Sequence, residues 1–549
     1  MSSDSPDNVS MSSAGVGAGA GVAKPQAPEV FARKASGLIR TASVFDVFSF
    51  NVLSGLIGIS TLFILVLVPA FYPGANVPLS VLIGGLEVLP LVMVYAALSA
   101  AYPRSGGDYV YMSRLIHPAV GFALNLGFTA AAIFVIAVGG SFTANYGIGP
   151  LLRVSGAYWS NQSLVDAGNW ITEPQGVFIL GTAGILAFGA LFLWGGMKVY
   201  WRVQLAIIVM ATLSLVIIAV WSLFVSRQTA MANINDELSN IGGKSLTPLL
   251  AGTTPSFSLW ATIQASIWSN FGIMGVLFSA YIGGEVKRPA KNQMLGMMAA
   301  LVWSTAWMAA IAALMISLFG IPFWSNLTTE DLSKYGLSWA PGYEEIAGLG
   351  FGNGVVAVIM LVLFSAWGVS VVALNIAICS RTMFAWSMDR VVPAWFSRVS
   401  TRSHVPYNSI LTIMVVGTIF TAALAWKWIT VLGGSYGFLL AFGGACVCAI
   451  VFAFRNPALW RASPVHRNFL GVPTTTWWGV LGLVFGVGLL IYLFCTDLIA
   501  AITPTDNFGQ FIVFPAIIIA GFIGYFISRA IRHRQGIDLD LNFKEIPPD

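Results

Sequence analysis

Between Ile267 and Gly275 the chain reads Ile-Trp-Ser-Asn-Phe-Gly-Ile-Met-Gly, and four of these residues, Ser269, Asn270, Gly272 and Gly275, are weak helix formers. They fall in the middle of an apolar stretch. A helix interrupted in hydrocarbon leaves peptide groups that are costly unless protein or ligand satisfies them. The chemistry such a break offers is electrostatic. Free N–H groups where the second half-helix starts attract a carboxylate, and free C=O groups where the first half ends suit an ammonium. The stretch from Asn51 to Ser60 has the same grammar: an Asn, then Gly55-Leu56-Ile57-Gly58, then Ile59 and Ser60. An α-amino acid carries both charges, so two facing breaks could hold its invariant part with backbone alone. The competing reading is plain close packing, since the chain has 57 glycines and small residues let membrane helices approach.

Other side chains could add chemistry. Glu87 lies in an apolar segment three residues before Pro90, and a carboxyl there is a candidate for carrying a coupled proton. The alternative is a hydrogen-bonded structural acid. Ser365 and Ser370 could give hydroxyls to a sodium ion beside the first break, or simply bond back to their own helix. Asp46 and Glu285 sit near helix ends and are expected to pair with cations such as Arg381 or Lys287 as a gate or anchor. Trp268, Phe271, Phe128 and Tyr436 could line an apolar pocket. The four cysteines (Cys379, Cys446, Cys448, Cys495) and four histidines (His117, His404, His466, His533) form no disulfide framework or metal motif. No acid–base cluster converges, so an enzyme is disfavoured and no cofactor is expected beyond Na+ or H+ as coupling ion.

The elements that must position these residues are membrane helices. The chain is 57% hydrophobic and only 9% charged, against about 25% charged in a soluble domain. Apolar runs of about 20 residues, enough to cross about 30 Å of hydrocarbon, recur about twelve times. The expected fold is all-α and polytopic. Five of the 27 Lys and Arg (Arg153, Arg227, Lys244, Lys334, Lys427) fall on one side of such a layout and all the others on the opposite side. By the positive-inside rule both termini are then cytoplasmic in a cell (plasma) membrane. The two Gly-interrupted spans are the first and the sixth. An offset of five inverts the second copy, as a five-plus-five inverted repeat requires. The expected divisions are a disordered tail at 1–40, repeats at 41–226 and 227–455, two further helices within 456–535, and a tail at 536–549. Short surface helices are expected in the long loop before span eight, with a start near Thr328–Leu332. The basic residues are scattered over loops, so no nucleic-acid partner is expected; the partners are the lipid bilayer and a small-molecule substrate, with the protein a monomer or homodimer.

Three motifs in register resemble those of the amino acid–polyamine–organocation (APC) superfamily. They are Trp268–Gly272 with Gly284-Glu285-Val286-Lys287-Arg288-Pro289-Ala290-Lys291-Asn292, Tyr102–Tyr109 after span two, and Ser380–Pro393 after span eight. The resemblance covers about Ser43–Arg455. It implies secondary transport of amino acids or related amines by alternating access, proton- or sodium-coupled or as exchange. It also implies a first-helix break at Gly58-Ile59-Ser60, where Ser60 replaces the family's second glycine and leaves the break anywhere within Gly55–Ser60. Carboxylate contacts would fall near Gly58–Ser60, and ammonium contacts on carbonyls near Leu56, Ile57, Trp268 and Phe271. With no acidic residue at the centre of spans one, three, six, eight or ten, a neutral amino acid is the expected substrate. The rivals are an amine or other organic-ion permease of the same fold, and a non-transporting amino-acid sensor.

Overall fold

The computed structural model describes residues 40–430, 434–493 and 508–544. Ser43 opens the bundle: its hydroxyl accepts from the Asp46 amide and Asp46 accepts from the Ser43 amide, a reciprocal cap for α1 (Val44–Ser54). Gly55 and Leu56 separate α1 from α2 (Ile57–Phe71). Next come α3 (Val77–Ala101), the short α4 (Asp108–Leu115) and α5 (Pro118–Thr143). A π-helical turn at Ala144–Ile148 joins α5 to α6 (Gly149–Tyr158), and α7 (Gln162–Thr172) follows.

The 51 residues of α8 (Pro174–Phe224) would reach about 76 Å at about 1.5 Å per residue, far more than one bilayer. Gly196, at φ 63°, breaks this run into two crossings. A Cβ there would stand 2.1 Å from the Ser403 carbonyl, so only glycine fits.

After α9 (Arg227–Ser239), the sixth span is α10 (Leu259–Ile273) continued by a 3-10 helix, Met274–Tyr281. Then come α11 (Pro289–Phe319), α12 (Ile321–Thr329), α13 (Tyr343–Gly350), and the pair α14 (Gly354–Phe364) and α15 (Ala366–Met388), which form one crossing. α16 (Tyr407–Ala425), α17 (Ser435–Arg455) and the short α18 (Pro457–Ala462) lead to a two-stranded hairpin, β1 (Asn468–Phe469) against β2 (Val472–Pro473). α19 (Thr474–Leu481), a π-turn and α20 (Leu489–Leu493) begin the eleventh span; a last helix covers Phe508–Arg534.

Ten helical segments among the described residues are long and apolar enough to cross a bilayer. One of them counts twice at Gly196. The chain is thus an all-α, multi-pass membrane protein, as composition indicates; among the described residues eleven crossings are complete and the described part of the eleventh span begins a further one. Its outward faces agree: Leu205, Val209, Leu213 and Val220, and again Ile519, Ile523 and Ile527, are exposed at helical spacing. That is a lipid-facing stripe, which water would not tolerate. Residues 1–39 of the tail expected at 1–40, residues 494–500 of span eleven, Cys495 and residues 545–549 lie outside the described residues. The loop before span eight does hold short helices. Thr328–Leu332, however, lies between the end of α12 and a 3-10 turn capped by Asp331, so the start signal served the turn.

Candidate functional site

The first break is set by one residue. Leu56 sits in the left-handed region (φ 50°, ψ 41°), where a branched bulky side chain is strained. The break is at Gly55–Leu56, not Gly58–Ser60. Ser60 explains the shift: its amide reaches the Leu56 carbonyl at 2.8 Å and its hydroxyl the Gly55 carbonyl at 3.1 Å, so it belongs to the first closed turn of α2. The amides of Ile57, Gly58 and Ile59 are the first-turn donors that no helical carbonyl can take. The Leu56 and Ile57 carbonyls, expected to face an ammonium, are already engaged, the second by Thr61 Oγ1 at 2.7 Å. The carbonyls set free by the break are instead those ending α1.

In the sixth span the interruption is a change of helix type. The α-helix continues through Ser269–Gly272 and tightens to 3-10 from Met274. The glycines serve close approach. A Cβ at Gly275 would stand 2.3 Å from the Ser54 carbonyl oxygen, and one at Gly272 would stand 2.5 Å from Ser60 Oγ. Gly55 in turn looks onto the Gly272 carbonyl. The two interrupted spans therefore touch at their breaks, and Asn51 fixes the crossing through Ser279, donating at 3.0 Å and accepting at 2.9 Å.

Between them lies a cavity of about 550 Å³, within the usual range for small-ligand sites. From the expected set, Gly55, Leu56, Ile59, Ser60, Trp268, Phe271 and Gly272 line it. Ile57, Gly58, Ser269 and Asn270 do not. Helical periodicity separates them: residues 268, 271, 272 and 275 share one face, and 266, 269 and 270 turn to α3. There Ser266 and Asn270 donate to the two oxygens of Glu87 (2.8 and 3.0 Å), and Ser269 donates to the Ser80 carbonyl (3.0 Å). Gly58 lies on the indole of Trp367.

The rest of the wall was not foreseen. The π-turn after α5 adds Asn145 and Tyr146 beside Ser141 and Phe142, while Phe278, Ser435 and Phe438 close another side. π-turns favour functional sites, but nothing in the local sequence marks this one. Among the described residues the lining carries no charged residue, and two of its buried donors, Ser435 Oγ and Trp268 Nε1, have no partner. Phe128 is stacked on Tyr281 at 4.2 Å instead of facing the cavity; the side chain of Tyr436 lies outside the described residues.

Ser365 and Ser370 both donate to carbonyls three residues back, at 2.7 Å. The side chain that span eight presents to the first break is Trp367, an N–H donor that cannot ligate a cation. At the end where the chain enters the bundle the three motifs meet. Glu285 accepts from Arg381 at 2.7 Å, the pairing expected of it. Arg114 grips Asp389 with two bonds, 2.7 and 2.8 Å. Asp108 accepts from Tyr95, Tyr281 and Asn125. Gly106 bonds the Tyr281 carbonyl at 3.0 Å. Asp46 is used by its cap.

Residues 48–536 match the family described as amino acid permease. The chain is 24% identical over 472 residues, 82% of its own length and 75% of the relative's, to a protein of Schizosaccharomyces pombe named probable amino-acid permease. It is also 24% identical over 362 residues, 65% of its length and 68% of theirs, to proteins named uncharacterized transporter in Mycobacterium bovis and Mycobacterium tuberculosis.

Proposed function

The chain belongs to the amino acid permease family, a membrane transporter of amino acids or related organic substrates, and from that premise we propose that it carries neutral amino acids by alternating access, driven by protons. The observation that carries this reading is the left-handed Leu56, which starts a new helix at the wall of an uncharged cavity. The first-turn amides of α2 would receive the substrate carboxylate. The carbonyls ending α1 would receive the ammonium. Phe63, Phe142, Phe271, Phe278 and Phe438 would surround an apolar side chain. A cationic side chain would have no counter-charge among the lining residues.

The proton is favoured over sodium by what surrounds the first break: Trp367 lies on Gly58, and the nearby serine hydroxyls are turned back onto their helix. Glu87, holding two donors from α10, is read as the tie between the second and sixth spans. The distribution of Lys and Arg supports cytoplasmic termini in the plasma membrane, and α13 then belongs to the outer face. Uptake of a panel of labelled amino acids into proteoliposomes, with proton and sodium gradients imposed separately, tests the reading. Accumulation of neutral amino acids under the proton gradient is the expected result. Uptake of amines alone, or binding without accumulation, would replace it by an amine carrier or a sensor.

A further inference from the structure

One buried acid stands outside every pairing described above. α13 lies against α2, α6, α9 and α14 and carries Tyr343, Glu344 and Glu345 in its first turn. Glu345 is fully used: Arg153 gives it two bonds (2.8 and 2.9 Å) and Trp339 a third (2.9 Å). Glu344 is 0% exposed, and neither of its carboxylate oxygens has a partner among the described residues. Its head group rests over the Cα of Gly342: an added Cβ there would stand 2.3 and 2.4 Å from the two oxygens and 2.5 Å from Leu62 Cδ1. A glycine Cα and a leucine methyl give a metal ion nothing to share.

Two contacts join this acid to the cavity. Tyr343 donates to the Gly58 carbonyl at 3.0 Å, in the first turn of α2. Tyr146, which lines the cavity, lies within electrostatic reach of Glu344. The titratable and charged groups facing Glu344 are Tyr146, Arg153, Tyr343 and Glu345. α2 and α14 carry none, and α9 meets α13 at Gly350 through Asn233 and Ile234. Arg153 is held by Glu345, so no cation is left for Glu344. An ionised carboxylate in such a place is costly, whereas a protonated one is far less so. Burial pushes the Glu344 carboxyl well above the usual carboxylate range; its own backbone amide opposes this, the charge of Glu345 adds to it and Arg153 opposes it.

Resting on the transport reading above, we propose that Glu344 is the site of the coupled proton: one proton from the aqueous face adds to its carboxylate as α13 seats against α2, and leaves when α13 lifts. Lifted, the group meets water and ionises in the ordinary range. Seating is therefore complete at low pH and lost as pH rises through the seated-state value, by up to tenfold per pH unit in between. Because Tyr343 holds the first turn of α2, seating also fixes the amides that would receive the carboxylate. Proton and amino acid thus favour the same arrangement, and each raises the affinity for the other.

The test has two arms. Infrared difference spectra of the purified protein should show a protonated-carboxyl band at neutral pH that is missing in Glu344→Gln and kept in Glu87→Gln. In proteoliposomes, Glu344→Gln should lose accumulation of labelled leucine driven by a pH gradient, and its leucine counterflow should become flat with pH. Absence of the band from the wild type, or gradient-driven accumulation by Glu344→Gln at the wild-type level, overturns the proposal. Leucine counterflow by a wild type that does not respond to a pH gradient overturns it too, along with the proton drive, while leaving the carriage of neutral amino acids intact. The band without any transport keeps the proton site and removes the transport reading.

Discussion

Alanine substitutions at the three glycines of the crossing should fall in a fixed order. At Gly275 the new Cβ would meet backbone only: Ser54 O at 2.3 Å, Ser54 C at 2.6 Å and the Gly55 amide at 2.9 Å. None of these can rotate away. The first and sixth spans must part by at least about 0.7 Å to restore a 3.0 Å contact, and overpacking of this kind costs about 1–3 kcal/mol. If that strain is relieved when the breaks separate, affinity falls by about 5- to 140-fold at about 1.4 kcal/mol per tenfold. At Gly272 the obstacle is Ser60 Oγ, 2.5 Å away. The hydroxyl can turn aside by giving up its bond to the Gly55 carbonyl, a loss of about 0.5–1.5 kcal/mol, but Ser60 Cβ at 2.7 Å cannot, so the backbone must also give by about 0.3 Å, less than at Gly275. At Gly55 the nearest atom is the Gly272 carbonyl oxygen at 3.3 Å, which needs only a small adjustment. The expected order of damage is Gly275→Ala, then Gly272→Ala, then Gly55→Ala. Saturation binding of labelled leucine to purified protein, with melting temperature measured alongside, gives both quantities. Wild-type affinity and melting in Gly275→Ala, or Gly55→Ala as the worst of the three, would refute the reasoning.

Other outcomes follow from the same geometry. Glu87→Leu should lower the melting temperature, because the buried Asn270 amide loses its acceptor, at about 1–3 kcal/mol for the unmet donor. Glu87→Gln should stay near the wild type, since its oxygen accepts from Asn270 and its NH2 donates to Ser266 Oγ, whose hydrogen turns to the Ile263 carbonyl at 2.6 Å. Ser435→Ala removes a buried hydroxyl that has no partner among the described residues, so stability should hold or rise; a loss of leucine affinity would mark the hydroxyl as a ligand contact. Asp108, outside the spans, is raised from 3.8 to about 6, chiefly by burial. Its contribution to stability is full below its ordinary value and is lost as pH rises through about 6. The melting temperature of the wild type relative to Asp108→Asn should therefore fall between pH 4 and 7, and a flat difference would contradict this.

Much of the architecture was legible because lipid imposes simple rules. Apolar runs and the Lys/Arg bias gave the crossings, even where the turn at Gly196 leaves no polar loop. The pairing of Glu285 with Arg381 was readable from charge and position at helix ends. The first break could be bracketed to six residues but no finer, since a left-handed leucine is the last thing a propensity argument would choose at Leu56. In the sixth span, composition marked Ser269 and Asn270 as polar, but only the helical phase relative to α3 could say which way they turn. The π-turn that brings Asn145 and Tyr146 to the cavity has no sequence signature. Glu344 stands next to Glu345 in a loop, where two adjacent acids look alike. Tertiary contacts alone give one of them an arginine and leave the other bare.

The central claim is that backbone freed at Gly55–Leu56 grips a zwitterion. A structure of the protein with a bound neutral amino acid tests it most directly. The carboxylate is expected within hydrogen-bonding distance of the Ile57–Ile59 amides, with the ammonium toward the end of α1 and the side chain among the cavity phenylalanines. An amino acid seated elsewhere, or one whose carboxylate is held by a side chain while those amides remain free, would contradict the account.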